Sequence, residues 1–179
     1  YYFDDMVLAT FGTGVKLATG SISARDNQGD VISETLQLGS GTVDPIFSVF
    51  LGYPNGKWLI SGSLFSRLSI YENVVGYKYG NEFHGRLSVN YDQSDALFLK
   101  SGLEFVYTAR DSHQYGEPEI ERGGKWGYFV PGFGVRFANN FILDFEYPLT
   151  MLFDVNESQL VPDGFLRLNL FYDWLLNEK

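Results

Sequence analysis

The sequence predicts an all-β protein: an antiparallel, up-and-down transmembrane β-barrel with about eight strands in this chain. Three observations predict it. Segments about ten residues long alternate between bulky uncharged side chains and charged or small ones. The connections between them alternate long and short. Aromatic residues gather beside the short connections.

The clearest case is the hairpin Asn81 to Arg110. In its first arm Phe83, Gly85, Leu87, Val89 and Tyr91 alternate with Glu82, His84, Arg86, Ser88 and Asn90. In its second, Leu97, Leu99, Ser101, Leu103, Phe105 and Tyr107 alternate with Phe98, Lys100, Gly102, Glu104, Val106 and Thr108. A strand points successive side chains to opposite faces, so each arm carries one face without charge. Each arm is long enough for a tilted strand to cross the hydrocarbon layer. Asp92 to Asp95 form the short polar turn between them.

The rest of the chain repeats the pattern. A first strand over Met6–Ala18 sets Val7, Ala9, Phe11, Val15 and Leu17 against Thr10, Gly12, Gly14 and Lys16. After a polar loop (Thr19–Gly41), a second strand over Thr42–Tyr53 opposes Val43, Phe47, Val49, Leu51 and Tyr53 to Asp44, Ser48 and Gly52. Pro54-Asn55-Gly56 reads as a tight hairpin turn, because Asn-Gly accepts positive φ at little cost. A third strand over Lys57–Tyr71 sets Trp58, Ile60, Leu64, Leu68 and Ile70 against Lys57, Ser61, Ser63, Arg67 and Ser69.

Loops at Glu72–Gly80 and Asp111–Lys125 flank the central hairpin. The sixth strand, Trp126–Phe137, carries Phe129, Phe133, Val135 and Phe137 opposite Gly132, Gly134 and Arg136, and its Pro131 predicts a bulge. A turn at Ala138–Asn140 leads into a seventh strand over Phe141–Leu149, with Asp144 and Glu146 on its ionic face. Beyond a loop near Thr150–Leu160, an eighth strand opposes Leu166, Leu168, Leu170, Tyr172, Trp174 and Leu176 to Asp163, Arg167, Asn169 and Asp173.

The bulk properties fit one domain of 179 residues. Mean hydropathy is −0.10 and no uncharged run is long enough for a spanning helix, so a helical membrane protein is excluded. Cysteine is absent, which removes disulfide frameworks and thiolate metal sites. A net charge of −9 with no basic stripe argues against a nucleic-acid partner. The chain opens at Tyr1 without a signal peptide, as export processing or truncation would leave it.

Alternation alone also suits a soluble barrel with its apolar face inward. Side-chain size decides for the opposite orientation. The uncharged face holds about five bulky residues per strand, too many for a narrow eight-stranded interior. The charged face is where Gly12, Gly14, Ser48, Gly52, Ser61, Ser63, Ser88, Gly102, Gly132 and Gly134 lie, leaving room for ions to interdigitate. Tyr53, Trp58, Tyr91, Phe137, Phe141, Tyr172 and Trp174 then form an interfacial girdle beside the short turns.

The candidate site is the lumen-lining charged network. Its cations are Lys16, Lys57, Arg67, Arg86, Lys100, Arg110, Arg136 and Arg167; its anions are Asp44, Glu82, Glu104, Asp144, Glu146, Asp163 and Asp173, with His84 on the same face. The near balance implies ion pairs, because an unpaired ion in a tight interior is costly. Such a network either fills the lumen or selects solutes passing through it. Glu82, His84 and Ser88 share one face, but a lone inward His beside charges reads as structural, and no catalytic residue is assigned. His113 falls in the predicted loop Asp111–Lys125, and no role is assigned to it. The acids Asp26 and Asp30, and Glu117, Glu119 and Glu121, read as solvated loop residues rather than a Ca²⁺ site, and no metal or cofactor is expected. Asn156-Glu157-Ser158 matches a glycosylation sequon, which carries little meaning in a bacterial envelope.

Four stretches in series resemble the outer-membrane transporter family grouped with the MetA-pathway phenol-degradation proteins. They are GVKLATG (Gly14–Gly20), LGSGTVDPIF (Leu38–Phe47), GYKYGNE (Gly76–Glu82) and NESQLVPDGFLRLNLFY (Asn156–Tyr172). Ala18 departs from the family's usual Pro. The resemblance implies location in the bacterial outer membrane and uptake of small, often hydrophobic or aromatic solutes, without enzymatic activity. It also implies a longer barrel of roughly twelve strands, of which this chain would be the C-terminal part. The alternative is a complete, filled eight-stranded barrel that anchors surface loops or an envelope partner.

Overall fold

The computed structural model describes residues 7–33, 36–113, 117–118, 122–137, 141–156, 159 and 161–172. Twelve strands follow in order: β1 (Leu8–Lys16), β2 (Asp44–Asn55), β3 (Trp58–Arg67), β4 (Tyr77–Lys78), β5 (Glu82–Asp92), β6 (Leu97–Thr108), β7 (Ser112–His113), β8 (Glu117–Pro118), β9 (Gly124–Phe137), β10 (Phe141–Glu146), β11 (Leu149–Val155) and β12 (Arg167–Tyr172). The long strands form one antiparallel sheet in the order β1-β2-β3-β5-β6-β9-β10-β12, with β11 also paired to β9. Three two-residue strands, β4-β7-β8, form a small separate sheet within the long connections. The main sheet curls into an open half-barrel, and among the described residues β1 and β12 are the two end strands of its order.

Eight strand positions run along the sheet, as the alternation predicts, but several boundaries differ. The first strand is shorter at both ends, and the third stops at Arg67, so that Leu68 and Ile70 leave the sheet. The predicted seventh strand is divided at Tyr147 and Pro148 into β10 and β11, and β11 extends along β9 to Val155, into the segment expected to be loop. Proline has no N–H for a ladder, which accounts for the break. The expected irregularity at Pro131 lies in its neighbour instead. β9 runs unbroken through Pro131, whose carbonyl accepts the Tyr147 N–H at 3.0 Å. A residue's N–H and carbonyl point to the same side of a strand, so the missing Pro131 N–H faces the gap between β10 and β11. The turn 138–140 and the end of the eighth predicted strand, including Asp173, Trp174 and Leu176, lie outside the described residues.

Polarity is inverted relative to a globular domain. Among the described residues only Tyr77, Phe98 and Val130 are buried hydrophobics, whereas nine polar or charged residues are buried, Asp44, Asp144 and Glu146 among them. The convex face leaves Phe11 76%, Leu87 66% and Leu170 63% exposed. Register fixes this division. Across the sheet Leu64, Gly85 and Phe105 align on the convex side, and Ser63, Arg86 and Glu104 on the concave side. A one-residue slip would exchange every such set.

Small residues on the concave face make room for large ones beside them. The Phe98 ring lies over Gly134, where an added Cβ would stand 2.1 Å from a ring carbon. The Arg136 guanidinium covers the same ring at 4.7 Å from its centroid. Gly134→Val is therefore expected to displace Phe98 and lower stability by about 1–3 kcal/mol, read by urea titration of intrinsic fluorescence.

Candidate functional site: the paired charges of the concave face

Among the described residues two networks of ions lie on the concave face, besides a separate Arg136–Asp92 pair near the short turns. Lys16 is opposite Asp44 across β1 and β2, and Arg67 is opposite Glu82 across β3 and β5. The Lys16 ammonium donates to Asp44 Oδ2 at 2.8 Å, and Arg67 bridges that same oxygen at 3.0 Å to Glu82, which it grips through Nε at 3.2 Å and its terminal nitrogen. Two cations and two anions make this group neutral.

The second group is larger and centres on Glu146. Its carboxylate accepts from Arg86 at 3.0 Å, Lys100 at 2.6 Å and Arg167 at 3.1 Å. Lys100 also donates to Asp144. Arg167 forms a bidentate pair with Glu104 at 2.9 and 3.1 Å, and Glu104 faces Arg86 at 3.7 Å. Three cations again meet three anions. The Glu146 side chain is 1% exposed, so its charge is tenable only because three donors surround it.

Glycine makes this geometry possible. Lys100, Gly132 and Glu146 stand in one row across β6, β9 and β10; Phe98, Gly134 and Asp144 stand in the next. A side chain at position 132 would stand between the Lys100 ammonium and its acceptor, and even a Cβ there would lie 3.3 Å from Glu146 Cγ and 2.4 Å from the Phe145 carbonyl oxygen. Arg86 and Glu146 come from strands three positions apart, roughly 14 Å along the sheet. Curvature tilts their side chains toward a common axis, and the contact closes.

A cavity of about 360 Å³ lies beside this group, walled by Ser61, Ser88, Asn90 and Asn169 as well as the ions, and by Phe50, Leu59 and Phe171. It offers hydrogen-bonding groups of both kinds and an apolar wall.

Not every residue expected in the network belongs to it. Lys57 is exposed in the turn between β2 and β3, because the two-residue loop is Gly56-Lys57 rather than one centred on Asn55. Arg110 lies past the end of β6, exposed, and donates to Asn156 Oδ1 at 2.7 Å. Asp163 is exposed in the connection before β12, where its backbone carbonyl, not its carboxylate, accepts the Thr150 N–H. Arg136 does face the concave side, but near the short turns, where it pairs with Asp92 at 2.7 Å. Asp92 could have been found by continuing the parity of its strand past Asn90. Asp111, buried between Tyr77 and Arg122 in the long connections, carries no periodic signal at all.

His84 faces the concave side, edge-on to Phe65 at 5.4 Å between centroids, and forms no hydrogen bond or ion pair with Glu82 or Ser88. Ser88 is bonded to Ser61 at 2.8 Å. No base-to-nucleophile contact exists there. In the loop 26–30, Asp26 Oδ1 accepts the N–H groups of Gln28 and Asp30, so this carboxylate closes a local turn. Glu119 and Glu121 lie outside the described residues. Among the described residues no group of three or more His, Asp or Glu is placed to hold a metal ion.

Among the described residues the aromatics expected in the girdle, Tyr53, Trp58, Tyr91, Phe137, Phe141 and Tyr172, project from the convex face at the short-turn end, and Trp174 lies outside them. Trp58 and Tyr91 meet at 4.6 Å, and Phe137, Phe141 and Tyr172 form a continuous row at 5.6 and 4.7 Å. Tyr53 is exposed beside them. Compared with known proteins, the sequence matches no family model and no curated protein.

Proposed function

We propose that this chain forms the wall of a bacterial outer-membrane β-barrel that admits small solutes along its concave face. The observation carrying this reading is the inverted polarity: a continuous convex surface of Leu, Phe and Val, with nearly all strand-borne ions on the concave side. Water would penalise such a convex face, whereas hydrocarbon favours it. The aromatic row at the short-turn ends suits a membrane interface. The four stretches resembling the transporter family, quoted above, add to this reading.

A bilayer imposes a further condition. Backbone groups left unpaired in hydrocarbon cost several kcal/mol each, so the outer edges of β1 and β12 must find partners in the membrane. Seven antiparallel steps separate these strands, so they run in opposite directions. They can therefore close on each other, or through an even number of additional strands, with antiparallel pairing throughout. A wider barrel leaves a water-filled lumen, whereas eight strands alone are filled by their side chains.

The balanced charge of the two ion groups favours a second reading, a filled barrel that acts as a scaffold. Planar-bilayer recording separates the two. Solute admission predicts steady ionic current from the refolded protein, and a filled scaffold predicts none.

A further inference from the structure

The long connections are knitted to one another. In the segment 17–43, the Ser40 carbonyl accepts from Asn73 Nδ2 at 3.0 Å, and Asn73 Oδ1 accepts the Val75 and Tyr77 N–H groups, so Asn73 ties this connection to the one after β3. Asp111, from the connection after β6, accepts from the Tyr77 hydroxyl at 2.6 Å, the Gly80 N–H at 2.7 Å and Arg122 at 3.1 Å. Asn156, from the connection before β12, accepts from Arg110 and donates to the Arg122 carbonyl at 2.7 Å. One polar chain thus spans all four long connections.

This chain also reaches over the concave face. The Lys16 ammonium, which faces that side, donates to Ser40 Oγ and lies 5.6 Å from the Tyr79 ring centroid. Asp44 is the first residue of β2, at the mouth, yet it is fully buried, as is Thr42 before it. Exposed loops hinging freely at the mouth would leave these groups wet. Gly80 approaches the Ala109 carbonyl so closely that a Cβ would stand 1.9 Å from its oxygen, which holds two of the connections in direct contact.

We propose that the described residues of the long connections form a fastened lid over one end of the concave passage, with Asn73 and Asp111 as its fasteners and Lys16 as its latch to the wall. This rests on the solute-admitting reading above. Solute enters from the loop side only when the lid opens, and loosening a fastener raises the open population.

The chain has no cysteine, so Ser63→Cys gives a single reporter in the concave wall. The protein is refolded into phosphatidylcholine vesicles, and a membrane-impermeant cationic methanethiosulfonate is added on the side of the long connections. Labelling is expected to be slow with the lid intact and at least about tenfold faster after Asp111→Ala, which removes three accepted hydrogen bonds, tenfold being the ratio for roughly one of them. Asn73→Ala is expected to act alike, Tyr77→Phe more weakly, and Asp30→Ala, outside the polar chain, not at all. Equal rates in all of these vesicle-inserted proteins would overturn the lid. A protein that fails to enter the vesicles would instead defeat the membrane reading on which the lid rests.

Discussion

Glu146→Gln is expected to destabilise the folded protein by about 3–5 kcal/mol, the range for removing one partner from a buried ion group. The carboxylate is 1% exposed and serves three cations at once, Arg86, Lys100 and Arg167. Glutamine preserves shape and one acceptor but leaves the group with an uncompensated positive charge. Urea unfolding in vesicles, followed by Trp fluorescence, measures the loss. Glu82→Gln is the informative contrast. Its side chain is 31% exposed and it serves Arg67 alone, which retains Asp44, so the expected loss is about 1 kcal/mol. A loss at Glu146 no larger than at Glu82 would mean that the concave ions are solvated individually rather than bound into a group.

Leu87→Arg is expected to cost about 2–4 kcal/mol in a bilayer, the penalty for a cation on the lipid face near the midplane. Leu87 projects from the convex side in the middle of β5, 66% exposed, opposite Gly62 on one neighbour and Leu103 on the other. At a water-exposed surface site the same change is worth within about 0.5 kcal/mol. The two environments therefore give different answers to one substitution. The expected loss also depends on depth: Tyr172→Arg, in the aromatic row near the short turns, is expected to cost about 1 kcal/mol or less.

How much of this could be read from the chain follows from what period two encodes. Parity assigns a face, so Lys16, Asp44, Arg67, Glu82, Arg86, Lys100, Glu104, Asp144, Glu146 and Arg167 could be placed on one side before any coordinates. Parity does not say who meets whom. The three-cation setting of Glu146 depends on curvature and on Gly132 lying between Lys100 and its acceptor, which alternation does not contain. Residues beyond strand ends follow no period, so extending strand parity to Lys57, Arg110 and Asp163 places them in the network, whereas all three lie outside it. The irregularity expected at Pro131 falls opposite it, at Tyr147 and Pro148, where two N–H groups are missing: that of Pro131 on the β9 side and that of Pro148 on the other. The knot of Asn73, Tyr77 and Asp111 joins residues far apart in sequence and has no local pattern to announce it.

Fluorophores placed one at a time on single cysteines along β6, from Leu99 to Phe105, test the orientation of the wall most directly. In vesicles containing brominated lipid, strong quenching is expected at 99, 101, 103 and 105 and weak quenching at 100, 102 and 104. Uniform quenching along the strand, or the opposite alternation, would contradict a wall whose convex face meets hydrocarbon.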